Sequence, residues 1–163
     1  TAAPAPAAAV LSGAMSKAAL LGWLRFLPLG QAALPEWGTL FVLLGLVTGN
    51  VEACARIKLW QFDLHEHFVL GAFGDDHADR AEIARLAMKR VRSRLQPGQE
   101  IAGLFLVGDT PFDIAAAKTI GAKSIAVATG KFGVDALREA GADHVLADLS
   151  DTSAVLRILA LQT

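Results

Sequence analysis

Two aspartates, Asp109 and Asp113, follow a short apolar run, Leu104 to Val107, and are separated by one helical turn. An apolar run that is closed by Gly108 and followed by helical periodicity is typical of a buried parallel strand leading into a helix. Asp109 would then lie at the carboxyl edge of the sheet, where open α/β sheets bind ligands. Two carboxylates at such an edge suit a hard cation such as Mg²⁺. The alternative is that Asp109 only caps the helix and Asp113 only favours its dipole.

A second chemical feature is Thr48-Gly49-Asn50, which follows the apolar run Leu40 to Val47 and precedes a predicted helix over residues 51–62. A hydroxyl at the end of a buried strand, followed by a glycine turn and a helix N-terminus, can hold phosphate through one O–H and several free N–H groups. Asn50 could instead serve only as the N-cap of that helix. The sequence thus predicts a phosphate site, with helix capping as the alternative.

The other elements continue an alternation of strands and helices. Short strands are predicted over residues 68–73, 123–128 and 143–146, and helices over residues 80–95, 135–140 and 152–161, with Asp79 as the N-cap of the first. This alternation predicts an α/β fold, a three-layer, mostly parallel, Rossmann-like sheet.

Composition limits the possible function classes. The 163 residues suit one domain, predicted over residues 16–163, after an Ala/Pro-rich tail over residues 1–15 that we expect to be disordered. The net charge of −1 and the pI near 6.4 give no basis for binding nucleic acid or an acidic membrane surface. The single cysteine, Cys54, is predicted to be a small core residue and fits a reducing, cytoplasmic compartment.

Residues 16–47 are unusually apolar and carry only Lys17, Arg25 and Glu36 as charged side chains. Glycine and proline interrupt this segment, and its longest uncharged run, residues 37–51, is too short to cross a bilayer. We therefore expect a buried core segment and no membrane span. If this stretch were exposed, it would form the interface of a homo-oligomer.

Three segments together resemble one protein family. GDTPFDIAAAKTIGAKSIAVATGKF, residues 108–132, closely resembles the last motif of the haloacid dehalogenase-like (HAD) hydrolases, in which G-D-T-x-x-D holds the metal. LGLVTGNVEACARIKL, residues 44–59, resembles their second motif, whose Thr or Ser binds the transferring phosphoryl group. The resemblance implies that Mg²⁺ is bound by Asp109 and Asp113, and phosphate by Thr48, Gly49 and Asn50.

The third segment, GAFGDDHADRAEIARLA at residues 71–87, resembles the small-metabolite phosphatases of this superfamily. Their third motif supplies a cation that neutralises the charges of the phosphate and of the nucleophile. Arg80 occupies the matching place, and Lys58 on the preceding helix is the alternative. The resemblance implies a Mg²⁺-dependent phosphatase that acts on a small phosphorylated metabolite.

One motif of the family is absent. HAD hydrolases begin with a central strand ending in D-x-D-G-T, whose first Asp attacks phosphorus and whose second acts as general acid and base. In this sequence no Asp precedes Asp63, so the start of the chain is expected to be truncated or altered and to lack the helical cap. We predict that Trp23 to Leu29, or a neighbouring segment, fills the central slot of the sheet. The alternative function is a catalytically inactive member of the family with a binding or oligomeric role.

Overall fold

The computed structural model describes residues 7–12, 42–68, 70–95, 101 and 103–160 of the chain. In these ranges, strands and helices alternate from residue 42 to residue 160. The strands are β1 (Ala7–Ser12), β2 (Val42–Val47), β3 (Leu70–Ala72), β4 (Gly103–Gly108), β5 (Lys123–Val127) and β6 (His144–Leu146). The helices are α1 (Glu52–Trp60), α2 (Arg80–Arg92), α3 (Pro111–Ile120), α4 (Val134–Glu139) and α5 (Thr152–Ala160), and a 3₁₀ turn covers His65–His67.

The strands form one sheet in the order β3-β2-β1-β4-β5-β6, and every neighbouring pair is parallel. The chain moves outward in one direction from β1 to β3 and in the other direction from β4 to β6. The direction reverses between β1 and β4, and ligands bind outside the carboxyl ends of strands at such a point. The predicted α/β fold with a mostly parallel, Rossmann-like sheet is confirmed.

The central slot of the sheet is filled by β1, which pairs with β2 on one side and with β4 on the other. The prediction that Trp23 to Leu29 fills this slot is therefore wrong, and the predicted disorder of residues 1–15 is wrong for Ala7–Ser12. A central strand must form backbone hydrogen bonds with a strand on each side. The run AAAVLS can do so because it contains no proline, and every residue in it has a backbone N–H. Most of the apolar segment predicted as core or oligomer interface lies in residues 13–41, outside the described residues.

Side chains alternate between the two faces of the sheet, as the period of a strand requires. On one face, Phe105 and Val107 pack in a cluster with Ile125, Val127 and Val155 of α5. On the other face, Leu106 packs with Val47 and with small side chains of α2 and α3, which include Ala84, Ala87, Ala116 and Ala117. The small side chains of these alanines let α2 and α3 pack close to the sheet.

Local signals explain several helix ends. The carboxylate of Asp79 accepts a hydrogen bond from the Ala81 N–H at 2.7 Å, which confirms Asp79 as the N-cap of α2. Helix α3 ends at Gly121, whose φ of 70° belongs to the left-handed region that favours glycine.

Cys54 is exposed on α1, so its prediction as a core residue is wrong. None of the helices in the described ranges is both long enough and apolar enough to cross a membrane.

Candidate functional site

Two strand ends form the base of the candidate site. Thr48 directly follows β2, Asp109 directly follows β4, and β1 lies between these two strands. With neighbouring strands about 4.8 Å apart, the ends of β2 and β4 are separated by roughly 10 Å. Thr48 is 2% exposed and Asp109 is 6% exposed. The carboxyl edge of the sheet therefore carries one buried hydroxyl and one buried carboxylate where the strand order reverses.

The loop of residues 48–50 is fixed by the loop that follows β3. The Thr48 N–H donates to the Ala72 carbonyl at 3.2 Å, and the Gly74 N–H donates to the Asn50 carbonyl at 2.9 Å. A β-carbon at position 74 would overlap the carbonyl of Gly49, so the two loops pack backbone against backbone. Only glycine permits this approach at position 74. The position of Thr48 thus depends on the end of β3 and on the loop that follows it, as well as on β2.

Asn50 makes contacts that its position in the sequence does not reveal. Its backbone N–H and its side-chain Nδ2 both donate to Thr48 Oγ1, at 3.1 and 2.8 Å. Its Oδ1 accepts a hydrogen bond from Lys58 Nζ at 3.2 Å. The N-cap of α1 is Val51, so the alternative in which Asn50 caps this helix is wrong. The amide of Asn50 instead connects Lys58 to Thr48.

The loop after β3, which carries Asp75 and Asp76, supplies a hydrogen-bond acceptor to the N-terminus of α1. Asp75 Oδ1 accepts a hydrogen bond from the Glu52 N–H at 2.9 Å. The adjacent Asp76 is held by Arg90, whose Nη1 and Nη2 donate to its two carboxylate oxygens at 2.8 Å each. Fewer N–H groups are therefore free to bind phosphate than the sequence predicts, because the Asn50 and Glu52 N–H groups already donate to acceptors within the protein.

Arg80 connects the two sides of the site. It is the first residue of α2, and its Nη1 donates to Asp113 Oδ1 at 2.6 Å. A β-carbon at Gly49 would lie 3.5 Å from Arg80 Nη2, so the guanidinium also faces the loop after β2. The Arg80 side chain remains 34% exposed. The cation thus lies between the Thr48 loop and Asp113, and a ligand from solvent can reach it.

A capping box at the start of α3 fixes Asp113. Thr110 is the N-cap, and its Oγ1 accepts from the Asp113 N–H at 3.3 Å. Asp113 Oδ2 in turn accepts from the N–H groups of Asp109 and Thr110, at 3.2 and 3.1 Å, and from the Thr110 hydroxyl at 2.8 Å. The alternative in which Asp109 caps the helix is therefore wrong. The T-x-x-D spacing of residues 110 and 113 is the sequence signal that identifies the box.

Asp109 lies in an environment that disfavours its negative charge. Burial, and then the charge of Asp113, raise the pKa of the Asp109 carboxyl group, although the Asp109 N–H and the charge of Arg80 act in the opposite direction. A β-carbon at Gly130 would overlap Asp109 Oδ2, so the backbone of the loop after β5 encloses this carboxylate. A bound cation relieves this kind of unfavourable electrostatics. The two carboxylates therefore fit a hard cation such as Mg²⁺.

The two acids do not by themselves surround a metal ion. Among the residues that the structure describes, no group of three or more His, Cys, Asp or Glu side chains could hold a metal ion. Mg²⁺ commonly retains several water ligands and is held by one or two carboxylates together with phosphate oxygens, whereas structural zinc takes four N or S ligands. In the described ranges, the donor set is thus compatible with Mg²⁺ and incompatible with a structural zinc site.

The two candidate cations occupy different places. Arg80 contacts Asp113 directly, whereas the exposed Lys58 of α1 contacts Asn50. The structure therefore brings Thr48, Gly49, Asn50, Lys58, Arg80, Asp109 and Asp113 to the same edge of the sheet. Their chemical roles stay predictions.

Comparisons with known proteins agree with this architecture. Residues 80–152 match the HAD-hydrolase-like family. The structure is similar to that of a hydrolase from Pseudomonas syringae, with a TM-score of 0.62, 19% identity, and coverage of 89% of this chain and 63% of that chain. It is also similar to a haloacid dehalogenase-like hydrolase from Streptococcus pneumoniae (TM-score 0.57, 19% identity, coverage 72% and 52%). A predicted phosphoglycolate phosphatase from Haemophilus somnus is similar as well (TM-score 0.55, 22% identity, coverage 72% and 50%).

No curated protein matches the chain. The chain spans between 50% and 63% of the length of these three solved structures. At such identities the structural similarity shows the fold, while the family match covers the segment from the start of α2 to the start of α5. The resemblance to the HAD hydrolases that was drawn from the sequence is confirmed over residues 80–152.

Proposed function

We propose that this haloacid dehalogenase-like chain is a Mg²⁺-dependent protein of the phosphatase type, whose site binds the phosphoryl group of a small phosphorylated metabolite. The observation that carries this proposal is the Arg80–Asp113 ion pair, which faces Gly49 of the loop after β2. The loop of residues 48–50, a cation and two acids lie at one edge of the sheet, and this arrangement supports the proposal. The organisation matches the needs of phosphoryl transfer, in which catalysis is mostly positioning and charge stabilisation.

Thr48, Gly49 and Asn50 are the proposed phosphate-binding residues, and Arg80 is the proposed charge-neutralising cation. The guanidinium is planar and carries several N–H donors, so it can bind a carboxylate and a phosphoryl oxygen at the same time. Arg80 is preferred to Lys58 because it contacts Asp113 and also faces the loop of residue 49. A catalytic role for Arg80 would depend on this position between Asp113 and the loop.

The charges of the site support the need for a metal. Asp109 and Asp113 contribute two negative charges, and Lys58 and Arg80 contribute two positive charges, so the four side chains sum to zero. A dianionic phosphate would then remain without compensation beside the buried Asp109 and Asp113. Mg²⁺ held by Asp109 and Asp113 would supply two positive charges to the phosphoryl oxygens. The acids would orient the cation, and Arg80 would limit the repulsion between them.

A second function is favoured by the missing nucleophile. The aspartyl-phosphate route needs a carboxylate near the carboxyl end of β1, and no Asp precedes Asp63 in this sequence. We therefore propose, as the alternative, a protein that binds phosphate and Mg²⁺ without turnover. Both functions predict ligand binding, and only the first predicts hydrolysis by this chain.

The test combines a turnover assay with a binding assay. Hydrolysis of p-nitrophenyl phosphate is measured with Mg²⁺ and with EDTA, and binding of inorganic phosphate is measured by titration calorimetry. Mg²⁺-dependent turnover that disappears in Asp109→Ala supports the phosphatase, and phosphate binding without turnover supports the alternative. The control is Asp135→Ala, which removes an acid that is 92% exposed on α4. Absence of both turnover and phosphate binding would contradict both functions.

The substrate class and the cellular compartment are further proposals. A small phosphorylated metabolite is supported by the similarity to the phosphatase from Haemophilus somnus, which is named for phosphoglycolate. A cytoplasmic location is supported by the single cysteine, which fits a reducing compartment. A panel of small phosphate esters, assayed with Mg²⁺, would identify the preferred substrate.

A further inference from the structure

We infer that Lys58 is a positioning residue that acts through Asn50 and makes the Thr48 hydroxyl an obligatory hydrogen-bond donor to a bound phosphoryl oxygen. The inference rests on the proposed phosphate binding at the loop of residues 48–50, and it does not require turnover. It also separates the role of Lys58 from that of Arg80. Lys58 orients the phosphate loop, and Arg80 is the cation beside the acids.

The hydroxyl of Thr48 accepts two hydrogen bonds from Asn50. A hydroxyl group has one hydrogen to donate and two lone pairs that accept. Two donors of Asn50, its backbone N–H and its Nδ2, lie 3.1 and 2.8 Å from Thr48 Oγ1 and occupy both acceptor positions. Only the O–H hydrogen then remains for a ligand. The non-bridging oxygens of a phosphoryl group are acceptors, so this hydroxyl is prepared for them and not for a ligand that donates.

The orientation of the Asn50 amide determines what the Thr48 hydroxyl can donate to. If the amide were turned around, its Oδ1 would face Thr48, and the hydroxyl would donate to Asn50 instead of to a ligand. The Lys58 ammonium group has only donors, and its Nζ lies 3.2 Å from Asn50 Oδ1. Lys58 therefore selects the orientation in which Nδ2 faces Thr48.

The hydrogen bonds that connect Lys58 to Thr48 all run in one direction. Lys58 donates to Asn50, Asn50 donates to Thr48, and Thr48 donates to the ligand, so every donor points toward the bound group. Hydrogen bonds arranged in this way polarise one another and strengthen the terminal donor. Thr48 is 2% exposed, so its hydroxyl has little contact with bulk water. The exposed ammonium group thus acts on a ligand that it does not touch.

We call the chain of hydrogen bonds from Lys58 through Asn50 to Thr48 the relay. A double-mutant cycle distinguishes the relay from a direct effect of the Lys58 charge on phosphate. The affinity for inorganic phosphate is measured by titration calorimetry for the wild type, Lys58→Met, Asn50→Ala and the double variant. We expect each single change to weaken phosphate binding by roughly fivefold to tenfold, the size expected for loss of one hydrogen bond. In the Asn50→Ala background, Lys58→Met should weaken phosphate binding by less than about twofold, because the effects of substitutions at residues that act as one unit do not add.

Matched variants complete the cycle. Lys58→Arg, which keeps a donor and the charge, should restore most of the affinity. Arg56→Met removes a positive charge from the same helix, at a side chain that is 70% exposed, and should leave the affinity unchanged. Asn50→Asp should weaken binding at least as much as Asn50→Ala, because a carboxylate accepts from Lys58 but cannot donate to Thr48.

A ligand-free readout tests the relay separately. In the ¹H–¹⁵N spectrum, the Nδ2 resonances of Asn50 should shift in Lys58→Met and stay in place in Arg56→Met. Unchanged Asn50 resonances in Lys58→Met, additive losses in the cycle, or a wild type that binds no phosphate would each overturn the inference. Phosphate binding with a non-additive cycle and no hydrolysis would support the relay while contradicting the proposed phosphatase activity.

Discussion

Arg80 Nη1 donates to Asp113 Oδ1 over 2.6 Å, although the two residues are 33 positions apart in the sequence. The Asp113 side chain is 2% exposed and the Arg80 side chain is 34% exposed, so the ion pair joins a buried anion to a cation that solvent can reach. The pair connects the first turn of α2 with the first turn of α3. The geometry of the site and the stability of the fold are therefore expected to depend on the same contact.

Replacement of Arg80 by Met should destabilise the protein, because it removes the positive charge that faces a buried carboxylate. We expect a loss of about 1–3 kcal/mol in the free energy of unfolding, less than for a fully buried pair because Arg80 is partly solvated. Urea denaturation measures the change. Arg80→Lys keeps the charge and should lose less, and an Arg80→Met variant as stable as the wild type would contradict the expectation.

Replacement of Thr110 by Ala should destabilise α3 and loosen Asp113. The variant loses the hydroxyl that accepts from the Asp113 N–H and donates to its carboxylate. Loss of an N-cap hydroxyl costs about 0.5–2 kcal/mol. Thermal unfolding of Thr110→Ala and of the control Thr110→Ser measures the effect. Equal losses in both variants would show that the hydroxyl does not stabilise this helix end.

Replacement of Gly130 by Ala should weaken Mg²⁺ binding without removing either acid. The added methyl group would overlap the Asp109 carboxylate and displace it. A change in a group that positions a metal ligand typically lowers metal affinity by about 10–100-fold. Calorimetric titration with Mg²⁺ measures this loss. The control is Gly133→Ala, since a β-carbon at Gly133 meets no atom within 4 Å. Equal Mg²⁺ affinities for the two variants would contradict the prediction.

The stability of the protein in acid should depend on Asp76. The hydrogen bond from Arg90, supported by the Phe73 N–H, lowers the pKa of Asp76 despite the opposing effect of burial. A carboxylate with a lowered folded-state pKa contributes stability above its unfolded pKa, near 3.9, and this contribution is lost as the pH falls through the folded value. The free energy of unfolding between about pH 5 and pH 2 should therefore fall less steeply in Asp76→Asn than in the wild type. Identical slopes would count against this assignment.

The sequence predicts those parts of the site that depend on local patterns. The apolar runs before Thr48 and Asp109 identify β2 and β4, because a buried parallel strand has a continuous apolar sequence. The placement of Thr48 and Asp109 at the carboxyl edge follows from this pattern. Arg80 at the start of α2 likewise follows from the capping residue Asp79.

Other features depend on contacts between distant segments. The Glu52 N–H at the start of α1 donates to Asp75, which is 23 positions away, and the Asn50 side chain contacts Thr48 and Lys58. The strand Ala7–Ser12 was missed because an Ala- and Pro-rich composition is also typical of linkers. Periodicity alone also did not reveal that Cys54 lies on the exposed side of α1. Single-sequence patterns show which residues are apolar, but not which neighbour covers them.

If one pocket binds a phosphoryl group and Mg²⁺ together, each ligand should change the affinity for the other. Phosphate affinity is measured by titration calorimetry with and without Mg²⁺, for the wild type and for Asp109→Asn. We predict that Mg²⁺ increases the affinity for phosphate by at least about tenfold, that phosphate increases the affinity for Mg²⁺ by the same factor, and that Asp109→Asn abolishes both effects. A phosphate affinity that is the same with and without Mg²⁺ would contradict the shared site.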